Sequence, residues 1–99
     1  MEYVFRGKVW LYPSEVASWH FVTIPKAVSS KIKEKYSGLS KGWGSLPVTA
    51  CIGKTTWTTS IFPDSKSGTY ILPLKASVRK REGIFVDDTV KATLVFRKV

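Results

Sequence analysis

The chain has 99 residues, 43% of them hydrophobic and 23% charged, with one cysteine and a formal net charge of +9. These values are typical of one globular domain, residues 1–99, and they exclude collagen-like, disulfide-rich and disordered chains. The apolar runs are too short to cross a membrane, and because residues 1–6 already read as a strand we expect no secretory leader.

Alternation of apolar and polar residues dominates the chain and predicts six strands. They are expected at residues 3–12, 19–24, 46–52, 55–62, 69–74 and 89–99. On the first strand one face is predicted to join the core, with Gly7 marking a bend. That face consists of Tyr3, Phe5, Gly7, Val9 and Leu11.

Two short helices complete the predicted elements. One spans 26–36, where Val28, Ile32 and Tyr36 recur every four residues and form an apolar stripe. The other spans 75–82 and is closed by Gly83. Gly53 and Lys54 predict a tight hairpin between the third and fourth strands.

Two stretches, 21–28 and 70–78, are alike, since each is an apolar strand followed by a proline, a Lys-Ala pair and a short helix. Two such units can bury their apolar faces against each other, although coincidence between two ordinary strand–helix–strand pieces stays open. In either case six short strands and two end-covering helices favour a mainly β fold, a small closed six-stranded barrel with two short helices.

The basic residues are spread evenly, since residues 1–49 carry 7 basic and 3 acidic groups and residues 50–99 carry 9 and 4. Such a surface attracts polyanions and favours nucleic-acid binding through counterion release. Many lysines also serve only to keep a small domain soluble, and that interpretation stays open. The single cysteine, Cys51, excludes an internal disulfide and favours a reducing, cytoplasmic setting.

Several motifs resemble a bacterial and archaeal family of domains of unknown function. The strongest are Thr-Ser-Ile-Phe-Pro at 59–63 and Leu-Pro-Leu-Lys at 72–75 with Val-Arg-Lys at 78–80, and the resemblance covers nearly the whole chain. It implies a closed six-stranded Greek-key barrel, sometimes found beside an OmpD-associated, bacteriocin-protection-like domain. It implies no settled activity.

The turn before the last strand departs from that family. The chain has Asp87-Asp88 where the family pattern has Gly-Asp, and because Asp tolerates the left-handed backbone we expect the turn to be kept. The same C-terminal region is similar to swapped-hairpin DNA-binding proteins of the AbrB type. That likeness concerns the fold alone.

A first candidate site is a cationic cluster at the second predicted helix. Lys75 and Arg79 are four residues apart and share one helix face, and Ser60 adds a hydroxyl donor if the fifth strand brings Lys75 near it. An arginine fork matches phosphate or carboxylate bidentately. The alternative is a solvated basic helix whose Arg79 pairs with Glu82 or Asp87.

Trp43 is the fourth candidate ligand-binding residue, because it stands between Gly42 and Gly44 in a glycine-rich loop. An aromatic side chain on such a hinge can close over a ligand. It can equally cap the end of the barrel, and both interpretations stay open.

A second candidate site is an aromatic and basic face for nucleic acid. On the first strand Arg6, Lys8, Trp10 and Tyr12 alternate on the side away from the predicted core. Aromatic rings between cations hold single strands by stacking and phosphate neutralisation. Lys31 and Lys35 of the first helix extend this candidate surface. The alternative is that Trp10 and Tyr12 pack under a helix or loop.

Catalytic patterns are missing from the sequence. None of the acidic residues stands in a pattern that pairs with His20, the single histidine, and no phosphate-cradling loop or metal-ligand spacing occurs. We therefore predict a non-enzymatic binding module without cofactor or metal. Its expected ligand is an anionic small molecule or an acidic protein surface at the barrel mouth, and the alternative ligand is nucleic acid.

Overall fold

The structure, a computed structural model, describes residues 2–12, 18–36, 38 and 44–96. The strands are β1 (Glu2–Tyr12), β2 (Trp19–Thr23), β3 (Leu46–Ile52), β4 (Thr55–Asp64), β5 (Thr69–Pro73) and β6 (Thr89–Phe96), and the helices are α1 (Lys26–Tyr36) and α2 (Ala76–Glu82). Every predicted element is present, with bounds that differ from the predicted ones by at most two residues among those described, and the last three residues of the predicted sixth strand lie outside the described ones.

The six strands close into a barrel in the order β1-β2-β5-β4-β3-β6, and every neighbouring pair is antiparallel. This confirms the predicted mainly β, closed six-stranded barrel. The long strand β1 closes the cylinder, because its first part, from Glu2 to Lys8, pairs with β6 and its second part, from Val9 to Tyr12, pairs with β2.

Gly7 lies where β1 passes from one partner to the other. A Cβ atom at this position would lie 2.5 Å from a side-chain carbon of Val22 and 3.0 Å from the carbonyl oxygen of Thr23. Only glycine allows β1 to run this close to β2, which agrees with the predicted bend.

Inward side chains of all six strands fill the barrel. The fully buried members include Val9, Val22, Val48, Ile61, Leu72 and Leu94. Leu11 was predicted to share this core, but 42% of its surface is exposed. The reason is that Leu11 stands next to the end of β1, opposite His20 near the start of β2, and therefore lies at the end of the barrel.

The helices pack on the barrel with their apolar residues. Ile32 of α1 is fully buried, with Val28 and Tyr36 partly buried against the same core, as the predicted stripe requires. Val78 of α2 is buried in that core as well. Neither helix in the described part of the chain has the length and apolar character needed to cross a membrane.

A buried serine ties α1 to the sheet. The hydroxyl of Ser29 donates to the carbonyl oxygen of Ile24 at 3.0 Å and accepts from the backbone N–H of Tyr70 at 3.0 Å. Ser29 is only 3% exposed, so both backbone groups depend on it for their partner.

The turn between α2 and β6 keeps the expected geometry despite its two aspartates. Asp87 has φ 75°, the left-handed conformation that a glycine would adopt. Its N–H donates to the carbonyl oxygen of Val9, and the N–H of Val9 donates to the carbonyl oxygen of Asp88, both at 2.8 Å. These bonds anchor the turn to β1.

Candidate functional site

An aromatic groove runs across the outside of the barrel over strands β1, β2, β5 and β4. Its volume is about 540 Å³. Five aromatic side chains and one isoleucine form most of it, and the turn from Asp64 to Lys66 forms one rim. The apolar members are Trp10, Tyr12, Trp19, Phe21, Phe62 and Ile71.

The strand register assembles this groove. Trp10 lies directly opposite Phe21 and Tyr12 opposite Trp19 on the β1–β2 pair, while Phe62 lies opposite Ile71 on the β4–β5 pair. Because alternate residues of a strand face the same side, these side chains all stand on the face away from the core. Residues that are distant in the sequence thus form one surface.

The aromatic rings pack on one another. The ring of Phe21 lies 5.2 Å from that of Trp10 and 6.3 Å from that of Trp19, and the Trp19 and Phe21 rings are nearly parallel at 10°. The indole nitrogen of Trp10 donates to the hydroxyl of Thr23 at 2.9 Å, which fixes the orientation of its ring. The platform therefore exists before any ligand binds.

The outer part of the groove is open to solvent. Tyr12 is 51% exposed, Trp19 53% and Phe62 38%. Large apolar side chains gathered in one exposed patch mark an interaction surface more often than isolated ones do. Nothing in the described part of the chain covers them, so the predicted alternative, with Tyr12 packed under a helix or loop, is wrong for Tyr12.

Cations continue the same face of β1 beyond the aromatic groove. Arg6 and Lys8 are exposed and stand on the same side of the strand as Trp10, as predicted. Lys91 of β6 lies directly opposite Arg6 and is also exposed. Among the described residues neither Arg6 nor Lys91 has a carboxylate partner. Lys66 adds a further cation at the rim of the groove.

The lysine of α1 beside this surface differs from the two that were predicted. Lys33 lines a polar pocket of about 330 Å³ that shares Asp64 and Ser65 with the aromatic groove. Lys31 and Lys35 lie on another face of α1, because a helix turns by about 100° per residue. The ammonium group of Lys35 lies 5.8 Å from the centre of the Tyr36 ring.

The predicted anion-binding residues stand on three parts of the fold, although Lys75 and Arg79 are one helical turn apart, with the N–H of Arg79 donating to the carbonyl oxygen of Lys75 at 3.0 Å. Ser60 stands on the outer side of β4, two residues before Phe62 and opposite Pro47. Lys75 is exposed immediately before α2. Arg79 lines a cleft of about 590 Å³ whose lining includes neither Ser60 nor Lys75. Trp43 lies outside the described residues, so its predicted role stays a prediction.

Arg79 and Glu82 do not pair with each other. The Nε of Arg79 donates to the carbonyl oxygen of Leu74 at 3.3 Å. Glu82 instead accepts a hydrogen bond from the hydroxyl of Thr55 at 2.6 Å and lies against Gly53 at the β3–β4 hairpin. The Glu82 carboxylate therefore links α2 to the hairpin and does not pair with the Arg79 guanidinium.

His20 lines the same cleft as Arg79. Its Nδ1 atom is buried. Burial lowers the pKa of His20 below the ordinary value of 6.5, the charge of Arg79 lowers it further, and a backbone hydrogen bond at Ser18 opposes them. The imidazole is therefore biased toward its neutral form.

Sequence reasoning missed several members of the groove, namely Trp19, Phe21, Phe62 and Lys66, and it missed Lys33 of the neighbouring polar pocket. A signal existed for the first two, because Trp19 and Phe21 share one face of the second predicted strand by period two. No local signal could have joined Phe62 to them, since the β4–β5–β2 pairing is decided by the closed topology.

Comparison of the sequence with protein-family models found a match. The sequence matches the family described as Domain of unknown function (DUF1905) over residues 5–94, a range that includes every apolar member of the aromatic groove. The search of curated proteins gave no match. Since the match spans the barrel from β1 to β6, the chain belongs to the DUF1905 family of domains of unknown function.

Proposed function

We propose that this domain binds single-stranded nucleic acid. Unpaired bases stack on the rings of the aromatic groove, and cations along β1 and at the rim neutralise the flanking phosphates. The observation that carries the proposal is the gathering of five outward aromatic side chains in one groove of a chain with net charge +9. In this proposal the domain is a cytoplasmic binding module without catalytic activity or cofactor.

Stacking explains why the ligand is single-stranded. Each base stacked on an aromatic ring contributes about 1–3 kcal/mol, and every base has a face that can stack. In a duplex those faces are covered by neighbouring base pairs. Trp19 and Tyr12, about half exposed each, offer the most ring surface.

The charge arrangement supports a polyanionic ligand. Arg6 and Lys91 lie directly opposite each other on neighbouring strands, an arrangement that costs the fold free energy because like charges repel. A bound phosphate removes that cost. With a rise of about 3.3 Å per residue, Arg6 lies roughly 13 Å along β1 from Trp10, so cations and rings form one continuous track.

The proposal is tested by fluorescence anisotropy with labelled oligonucleotides of one sequence as single-stranded DNA, single-stranded RNA and duplex DNA. We expect the single strands to bind more tightly than the duplex, with an affinity that falls steeply with salt. Trp19→Ala should weaken single-strand binding by about 1–3 kcal/mol.

A matched control is Phe85→Ala. Phe85 is 73% exposed and does not line the aromatic groove, so its removal deletes an exposed ring elsewhere. The proposal is overturned if no single strand binds at low salt. It is equally overturned if Trp19→Ala and Phe85→Ala weaken binding alike.

A further inference from the structure

A second cleft lies beside α2, separate from the aromatic groove. It has a volume of about 590 Å³ and shares no lining residue with that groove. Its wall combines cationic with apolar side chains, and none of the described carboxylates lines it. The wall includes His20, Arg79, Lys80, Ile84, Phe85 and Val86.

The guanidinium of Arg79 is set for an anion. It is half-buried, its Nε donates to the carbonyl oxygen of Leu74, and it forms no salt bridge within the described residues. Within the described residues its terminal nitrogens have no hydrogen-bond partner. Two parallel N–H groups are the fork that binds carboxylate bidentately. A partly buried cation without a counter-ion also costs desolvation free energy that an anion would offset.

Two of the nearby acids have hydrogen-bond partners of their own. Glu82 accepts the hydroxyl of Thr55, and Asp88 accepts the backbone N–H of Phe85 at 2.8 Å. Neither carboxylate lines the cleft. No described carboxylate therefore lines the cleft beside Arg79 and Lys80.

The apolar wall is held in place by backbone bonds. Phe85 is 73% exposed and Val86 39%, beside the buried Ile84. The N–H of Ile84 donates to the carbonyl oxygen of Arg79 at 2.9 Å. The N–H of Asp88 donates to the carbonyl oxygen of Phe85 at 3.1 Å. The exposed side chains of Phe85 and Val86 therefore stand on a turn whose backbone is held by hydrogen bonds.

We infer that this cleft binds a small organic acid, whose carboxylate pairs with the fork of Arg79 and whose apolar body lies against Phe85 and Ile84. The volume lies within the range of about 300–1,000 Å³ typical of small-molecule sites. A single guanidinium fork beside an apolar wall matches one carboxylate on a compact apolar body better than it matches the repeated phosphates of a polymer. The inference is independent of the proposed nucleic-acid function.

The histidine in the cleft provides the measurement. His20 is the only histidine of the chain, so its imidazole signals in an NMR spectrum need no assignment by mutation. We would titrate the protein at constant ionic strength with benzoate, with the neutral analogue benzamide, and with inorganic phosphate, which lacks the apolar body. Benzoate is expected to shift the His20 signals to saturation, and the other two are expected to bind at least about tenfold more weakly.

Four variants sharpen the test. Arg79→Gln and Phe85→Ser should each weaken benzoate binding, the first by about tenfold or more. Arg81→Gln is the matched control, because Arg81 is exposed on the same helix and does not line the cleft. Trp19→Ala should leave benzoate binding unchanged, which separates this site from the aromatic groove.

The inference is overturned if benzoate leaves the His20 signals in place, if benzamide or phosphate binds as tightly, or if Arg79→Gln and Arg81→Gln behave alike. Should Arg79→Gln fail to fold, as judged by its amide spectrum, Phe85→Ser decides the question. That side chain is largely in solvent, and an unchanged benzoate affinity in the folded Phe85→Ser protein then overturns the inference.

Discussion

The indole nitrogen of Trp10 donates a hydrogen bond to the hydroxyl of Thr23, 2.9 Å away on the neighbouring strand. This bond holds the central ring of the aromatic groove at a fixed angle to Phe21, whose ring lies 5.2 Å from it. A fixed ring loses little freedom when a ligand stacks on it, and that preorganisation favours binding.

Replacement of Thr23 by Val should separate orientation from stacking surface. The substitution keeps the shape of the side chain and removes the acceptor of Trp10. We expect the free energy of unfolding to fall by about 1 kcal/mol and oligonucleotide binding to weaken while every ring remains. Urea unfolding and fluorescence anisotropy provide the two measurements, and unchanged oligonucleotide affinity would show that the bond does not position Trp10 for binding.

The opposed cations Arg6 and Lys91 predict opposite effects on stability and binding. Lys91→Glu converts a repulsive cross-strand pair into an attractive one, so the free energy of unfolding should rise by about 0.2–1 kcal/mol. The same change should weaken single-strand binding, because a cation of the track becomes an anion. Lys54→Glu in the β3–β4 hairpin is the control, with the same change of net charge away from the track. A variant that is both less stable and equally able to bind would contradict this reading of the pair.

The hydroxyl of Ser29 should contribute more to stability than any exposed serine of α1. Ser29→Ala leaves the buried N–H of Tyr70 and the carbonyl oxygen of Ile24 without this partner. We expect a loss of about 1–3 kcal/mol in the free energy of unfolding. Ser30→Ala, at the neighbouring exposed position, should change it by less than about 0.5 kcal/mol. Chemical denaturation measures both, and similar losses would mean that the buried bonds do not carry the effect.

Stability should fall in mildly acidic solution because of His20. Its folded-state pKa is lowered below 6.5 by burial and by the charge of Arg79, so the unfolded chain takes up a proton at a higher pH than the folded chain does. The stabilisation is therefore complete above pH 6.5 and is lost as the pH falls from there through the lower folded-state pKa. Urea unfolding across this range should show the loss in the natural protein and a smaller one in His20→Gln. Parallel pH profiles of the two proteins would exclude His20 as the cause.

Much of the fold follows from local patterns. Alternation along β3 and β6 predicts their inward faces, because most apolar residues of each strand stand on one side; Val95 of β6 is an exception and is 41% exposed. The same alternation places Arg6, Lys8 and Trp10 together, since they are alternate residues of one strand. The prediction that Leu11 is buried is wrong because Leu11 stands near the end of β1, at the end of the barrel. Alternation along a strand does not show where that strand leaves the core.

Helix periodicity likewise predicts α1 and its buried stripe, yet it does not predict which lysine borders the groove. Lys33 has that position because the Asp64–Ser65 turn, which follows β4, lies next to α1 in the closed barrel. The predicted cluster of Ser60, Lys75 and Arg79 likewise depended on which elements lie next to each other in the fold. Ser60 stands on β4, Lys75 immediately before α2 and Arg79 on α2.

The sequence by itself determined the six strands, the two helices, the closed mainly β architecture and the cationic character, because each follows from composition and from the spacing of residues along one segment. Only the tertiary structure decided that Trp10, Trp19, Phe21 and Phe62 share a groove and that Arg79 opens into a separate cleft. Those neighbours are set by strand order and register, which arise when distant segments minimise their exposed apolar surface together, and no single segment carries that information.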